Sequence, residues 1–119
     1  MSHKSNIVIT VQLDEKKQPV KLDWSADSPD GPQQREAKAM LLSFFDKETL
    51  ETYKIDLWTK DLQIAEMDRL MFHTLRALTE TYHNATKNSE LSNQMGAFVD
   101  HFGKFTGIIK ESGLSLIHI

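Results

Sequence analysis

Cysteine is absent from the 119-residue chain. That excludes a disulfide framework, thiolate metal ligation, a cysteine nucleophile and a thiol redox switch. Proline is scarce, and two of its three copies fall together in SADSPDGPQQR, Ser25 to Arg35. No apolar run is long enough to span a bilayer. The opening MSHKSNIVITVQL has one early lysine and then alternates apolar with polar residues, so it lacks the continuous apolar core and small-residue cleavage site of a secretory signal. The expectation is a cytoplasmic protein without membrane insertion, in which Asn84-Ala85-Thr86 is not used as a glycosylation acceptor. An excess of basic charge is also missing: the net charge is −3, with 9 basic and 10 acidic residues up to Lys60 and 5 against 7 beyond it. Without a basic stripe to track phosphates, nucleic-acid binding is not expected.

What is present suffices for one core. Hydrophobic residues make up 39% of the chain, with two Trp, two Tyr and six Phe, enough to offset the entropy of ordering a domain of this length. From Ile7 to Leu13 the apolar residues Ile7, Ile9, Val11 and Leu13 alternate with Val8, Thr10 and Gln12, the period of a half-buried strand. After the turn-like DEKKQ, Val20, Leu22 and Trp24 repeat the pattern, so the two segments read as an antiparallel hairpin with Pro19 at the second strand's entrance. The proline-containing stretch Ser25 to Arg35 then reads as a surface loop that supports neither helix nor ladder.

Glu36 to Asp46 is apolar on both phases, and its helical alternative stays open on periodicity alone. Its length and two Phe favour a strand. Tyr53, Ile55 and Leu57 alternate with Thr52, Lys54, Asp56 and Trp58, which makes a second hairpin turning near Lys47 to Leu50 the simplest arrangement.

Past Asp61 the period becomes helical. Ile64, Met67, Leu70, Met71, Leu75, Leu78 and Tyr82 predict a helix to about Thr86, capped by Asp61. Lys87 and Asn88 break it. A second helix carries Leu91, Met95, Phe98, Phe102, Phe105 and Ile109 as a narrow packing seam. Gly96, Gly103 and Gly107 weaken that helix by roughly 1 kcal/mol each, so a close backbone approach to the first helix or the sheet should compensate. The predicted fold is α+β, a four-stranded antiparallel sheet of two hairpins followed by two C-terminal helices packed on one face, in a single domain over residues 1–113. The tail LSLIHI, Leu114 to Ile119, is apolar, uncapped and out of helical phase. It resembles the in-frame translation of a transposase-type sequencing adapter and is read as non-native, so no function rests on His118.

Few residues point to chemistry. The glycines nearest to a phosphate loop are too far apart and lie on a helix, and neither a Gly-x-Ser-x-Gly elbow nor a His-Glu-x-x-His motif occurs. Glu80 and His83 have the spacing used in bundle di-metal sites, but such sites need the motif twice with further carboxylates, so no metal and no cofactor are expected. His101 reads as a surface residue beside Asp100, and His73 as a boundary histidine with no carboxylate at helical spacing. Catalytic residues are accordingly not expected.

The sheet's two faces are more informative. If Ile7, Ile9, Val11, Val20, Leu22, Trp24, Met40, Leu42, Phe44, Tyr53, Ile55 and Leu57 face the helices, then Val8, Leu41, Phe45 and Trp58 project from the other side. Two helices cover one side only. Those four residues are therefore the candidate partner-binding or self-association patch, with Lys54, Asp56 and Lys60 as rim charges. The alternatives are that the proline-containing loop covers that face or that the third segment is helical. A rival reading places a small ligand between helices and sheet, with His73 and Tyr82 as its polar groups.

The run KIDLWTKDLQIAEMDRLMFHTLRALTETYHNAT, with EAKAMLLSFFD upstream and the opening strand, resembles the gliding motility protein GldC family from about Ser5 to Ile109. DLWTKD, Asp56 to Asp61, followed by the amphipathic helix is the most recognisable part. The resemblance implies an accessory or adaptor protein of bacterial gliding that works by protein–protein interaction without catalysis. It further implies a partner in the gliding machinery, a gliding lipoprotein or a component associated with one. A homo-oligomer using the same open face is the other arrangement that the patch allows. The foreign character of LSLIHI against the family agrees with its reading as non-native.

Overall fold

The computed structural model describes residues 3–31 and 33–110; the tail Leu114–Ile119 and the domain limit at Gly113 lie outside the described residues. Contacts divide the chain into two compact units, Met1–Leu62 and Gln63–Ile119. The elements are β1 (Ile7–Leu13), β2 (Pro19–Ala26), β3 (Gln33–Ala37), β4 (Ala39–Phe45), β5 (Thr52–Trp58), α1 (Ile64–Thr86) and α2 (Ser89–Phe105). Strands followed by two helices is the expected α+β order.

In the first unit, the β-branched run Ile7-Val8-Ile9-Thr10-Val11 favours extended backbone, and β1 pairs antiparallel with β2 through Ile9↔Trp24 and Val11↔Leu22. Asp14 builds the turn between them. Its carboxylate accepts the backbone N–H groups of Lys16 at 2.8 Å and Gln18 at 2.9 Å, while Lys17 takes the left-handed conformation. The register puts Ile7, Ile9, Val11, Leu22 and Trp24 on one face, with Leu22 buried, and Val8, Thr10, Asp23 and Ser25 on the other. Asp46 plays the same part in the second hairpin, accepting from the N–H groups of Glu48 at 3.0 Å and Thr49 at 2.8 Å.

One four-stranded sheet was expected, whereas the structure has a three-stranded sheet, β1-β2-β3, and a two-stranded sheet, β4-β5. The third apolar segment is extended, as predicted, but it changes partner at Lys38. Its front half pairs with β2 from Leu22↔Ala37 to Ala26↔Gln33, and its rear half pairs with β5 from Ala39↔Trp58 to Phe45↔Thr52. Between the halves, the Lys38 carbonyl accepts the Thr59 N–H at 2.8 Å, so that residue already belongs to the β5 side. The loop at Ser25 to Arg35 is also shorter than expected. Ser25 and Ala26 complete β2, and Gln33 to Arg35 begin β3, since no breaker follows position 32 in the sequence.

The second unit is a helical hairpin. Asp61 does not cap α1; the N-cap is Gln63, whose backbone N–H donates to Glu66 Oε1 at 2.9 Å. Asp61 instead accepts a bond from Thr59 Oγ1. As predicted, α1 ends at Thr86, where left-handed Lys87 returns its N–H to the His83 carbonyl at 2.8 Å. Asn88 caps α2 by accepting the Leu91 N–H at 3.1 Å.

The packing seam of α2 differs from the predicted one. Phe98 and Phe105 are 54% and 83% exposed, and the buried positions are Ser92, Val99 and Gly103. Helices joined by a tight turn approach most closely where side chains are small, and that criterion outweighs hydrophobicity here. The expected close approach is found at Gly103, where a Cβ would stand 2.6 Å from Phe72 Cε1 of α1. Phe72 is the buried residue of α1.

Candidate functional site

Pairing in β4-β5 places Leu41, Phe45 and Trp58 on one face of the ribbon, as the alternation predicted. They share it with Ala39, Ser43, Thr52, Lys54 and Asp56. Phe45 is 70% exposed and Trp58 53% exposed. The two are not neighbours: they sit at opposite ends of the ribbon, about 20 Å apart at strand rise, with Leu41 diagonal to Trp58. Val8 is not brought to them. It stands on the other sheet, across from Ser25, and is exposed there.

The opposite face of the ribbon carries the pairs Met40↔Leu57, Leu42↔Ile55 and Phe44↔Tyr53. Sequence patterning assigned these residues to a covered core. Phe44, Tyr53 and Ile55 are each at least half exposed, so both faces of β4-β5 present large apolar side chains. A second exposed aromatic group lies on α2, where the His101 ring is 6.4 Å from that of Phe98 and 5.9 Å from that of Phe105. His101 does not join Asp100, which pairs with Lys104 at 2.9 Å. Sequence reasoning missed this surface by placing both Phe in the seam. The small residues Ser92, Gly96 and Gly103 on the other side of the helix were the signal that could have found it.

The base of the ribbon is fixed by charge. Thr59 is buried and its Oγ1 has one proton, which goes to the Asp61 carboxylate, the charged and stronger acceptor. The Lys38 carbonyl keeps the Thr59 N–H. Lys38 Nζ lies 4.0 Å from Asp61, and Lys60 donates to Asp14 in the first hairpin turn. Hydrogen bonding from Thr59 holds the Asp61 carboxyl below its usual range, the Lys60 ammonium does the same for Asp14, and the Thr49 amide for Asp46. These bonds tie Thr59, Lys60 and Asp61 into the strand unit and leave Trp58, one residue away, turned outward.

In the helical hairpin, Thr79, Glu80, His83, Asn84, Ser92 and Asn93 line an open groove of about 450 Å³. Ser92 Oγ donates to the Asn88 carbonyl at 2.7 Å, so it can only accept from His83 Nδ1, 3.3 Å away. The hydroxyl proton is therefore not aimed at the imidazole, and the pair works as a clasp between the helix ends. His73 and Tyr82 do not form a common pocket wall: nine positions apart on α1, they point about 180° apart. Among the described residues no group of three or more His, Asp or Glu is placed to hold a metal ion, and no helix is long and apolar enough to cross a membrane.

In comparisons with known proteins, the family model described as gliding motility-associated protein GldC-like matches residues 19–107. No curated protein and no solved structure matches the chain.

Proposed function

The chain belongs to the GldC-like family of gliding motility-associated proteins, and from that premise we propose that it is a non-catalytic, cytoplasmic adaptor that binds another component of the gliding machinery through the β4-β5 ribbon. The observation that supports this reading is the ribbon itself, with large apolar side chains exposed on both faces. An exposed two-stranded ribbon gains from being covered, since a lone hairpin is marginally stable in water. On the Phe45 face, anchors at the two ends suit an elongated partner, and the Lys54–Asp56 pair, 3.0 Å apart between them, sets its orientation. A gliding lipoprotein, or a component associated with one, is the proposed partner class.

The test is capture from a lysate of gliding cells by the tagged full chain, beside a folded Phe45→Ser, Trp58→Ser variant and a folded Phe44→Ser, Ile55→Ser variant. Loss of a captured motility component in either variant supports the ribbon as the site and identifies its binding face. Retention by both variants moves the site off the ribbon. Capture of no motility component by the original chain refutes the adaptor reading.

A further inference from the structure

Among the described residues of the strand unit, the outer edge of β1 carries none of the usual edge protection. Natural sheets blunt such edges with charge, proline or shortness. On the far side of the same sheet, β3 is short and carries Arg35 and Glu36; β5 carries Lys54 and Asp56. In contrast, β1 reads IVITVQL, with no charge, proline or glycine, and its first five residues are all β-branched. Among the described residues its only ladder is with β2.

The direction of the free groups follows from the ladder. The Asp27 N–H donates to the Asn6 carbonyl at 3.1 Å, so Asn6 is a hydrogen-bonded position and the alternation continues through Val8, Thr10 and Gln12. Ile7, Ile9 and Val11 therefore turn their N–H and C=O groups outward, and Leu13 follows after the register shift that begins there. These are the same residues whose side chains form the apolar face with Leu22 and Trp24.

We infer that β1 pairs antiparallel with β1 of a second copy of this chain, about a two-fold axis at Thr10. In that register Ile9 faces Val11 and Ile7 faces Leu13 of the other copy, so each of these pairs joins two outward-directed backbones and two side chains of the same face. Thr10 meets Thr10 across the axis, a favourable cross-strand pair, with its own amide already committed to β2. A one-residue slip would oppose outward groups to inward ones, and a two-residue slip would shorten the ladder. The parity and the absence of charge make the strand complementary to itself. The two three-stranded sheets become one continuous sheet whose outer edges are the charged β3 strands, so assembly closes at two copies. The β4 edge, AMLLSFF, is also uncharged but contains no β-branched residue. This inference is independent of the adaptor reading, since that surface lies on the other sheet.

The test uses charge pairs that only this register brings together, measured as solution mass by sedimentation equilibrium on the full chain. Ile7 and Leu13 are 73% and 50% exposed, so substitutions there spare the fold, which circular dichroism confirms. The original chain is expected to be dimeric. Ile7→Lys, Leu13→Lys sets like charges face to face at both ends of the ladder and should weaken the dimer by roughly tenfold or more. Ile7→Lys, Leu13→Glu sets opposite charges there and should restore it, with an affinity that falls as salt is added. A monomeric original chain overturns the inference, as does a double-lysine variant that stays dimeric, which would place the interface elsewhere. A lysine–glutamate variant no tighter than the double-lysine one overturns the register.

Discussion

Two glycines on one helix should respond in opposite directions to the same substitution. An interior helical glycine costs about 1 kcal/mol relative to alanine. At Gly96 a Cβ would meet nothing within 4 Å, so Gly96→Ala should stabilise the helical hairpin by about 0.5–1 kcal/mol. At Gly103 a Cβ would stand 2.5 Å from Ile109 Cδ1 and 2.6 Å from Phe72 Cε1, well inside contact distance. Ile109, beyond the end of α2, would also have to shift its side chain, since its Cγ1 would stand 2.8 Å from the same Cβ. Phe72 is only 4% exposed and has no room to withdraw its ring, so it decides the sign. Contacts this short belong to the upper part of the overpacking range, about 2–3 kcal/mol, which after a propensity gain of about 1 kcal/mol leaves Gly103→Ala about 1–2 kcal/mol less stable. Urea unfolding followed by helical circular dichroism reports this unit, because both Trp, Trp24 and Trp58, lie in the strand unit and fluorescence follows that one. Adding Phe72→Leu to Gly103→Ala should recover about 1 kcal/mol of coupling, which separates the clash from a general loss. A Gly103→Ala chain as stable as the original would refute the close approach.

Two further outcomes follow from the same geometry. Phe105→Ser should change stability by less than about 0.5 kcal/mol, while Phe72→Ala should cost about 3–5 kcal/mol, measured by the same unfolding curves; equal losses would return Phe105 to the core. Asp14, Asp46 and Asp61 are all held below the usual carboxylate range. A depressed folded value means stability that is present above the unfolded value and lost as pH falls through the folded one, so the strand unit should weaken progressively below about pH 4. Thr59→Val removes the principal cause at Asp61 and leaves the backbone bond to Lys38 intact. Its carboxyl should then titrate higher by NMR, the acid limb should become shallower, and the lost hydroxyl should cost about 1 kcal/mol at neutral pH. An unmoved Asp61 titration would show that the Thr59 bond does not set it.

β1, β2, β4 and β5, both hairpin turns and the C-terminal limit of α1 were legible because each rests on local signals: period-two alternation, Asp at the head of a turn, a helical repeat that stops at Lys87-Asn88. Three features were not. The change of partner at Lys38 depends on which strand lies beside the segment, and no residue within AKAML carries that information. The N-cap fell to Gln63 because Asp61 was already engaged by Thr59, a competition invisible to a rule that weighs each residue alone. The buried side of α2 was misjudged because hydrophobicity selects Phe98 and Phe105, whereas the short link between the helices selects small residues. The candidate surface has the same origin. Phe45 and Trp58 were found by alternation, but the exposed Phe44-Ile55-Tyr53 face and the Phe98-Phe105 face became visible only after the two seams had been placed.

The segment Asp56–Asp61, through which the family resemblance is carried, has a structural role in the strand unit. Thr59 closes on the Lys38 carbonyl at the point where the third strand changes sheets, Lys60 holds the first hairpin turn through Asp14, and Asp61 takes the Thr59 proton. Within the strand unit these contacts link the end of β5 to both of its sheets. Trp58 is the large apolar side chain of this segment left outward, 53% exposed at the edge of that fixed base. A side chain on a rigid base loses less entropy when a partner covers it than one on a mobile loop. On the proposed adaptor reading the same bonds favour Trp58 as a docking point, and Thr59→Val should then reduce the amount of motility component captured by the tagged chain even though Thr59 itself is buried; undiminished capture would refute this role of the base.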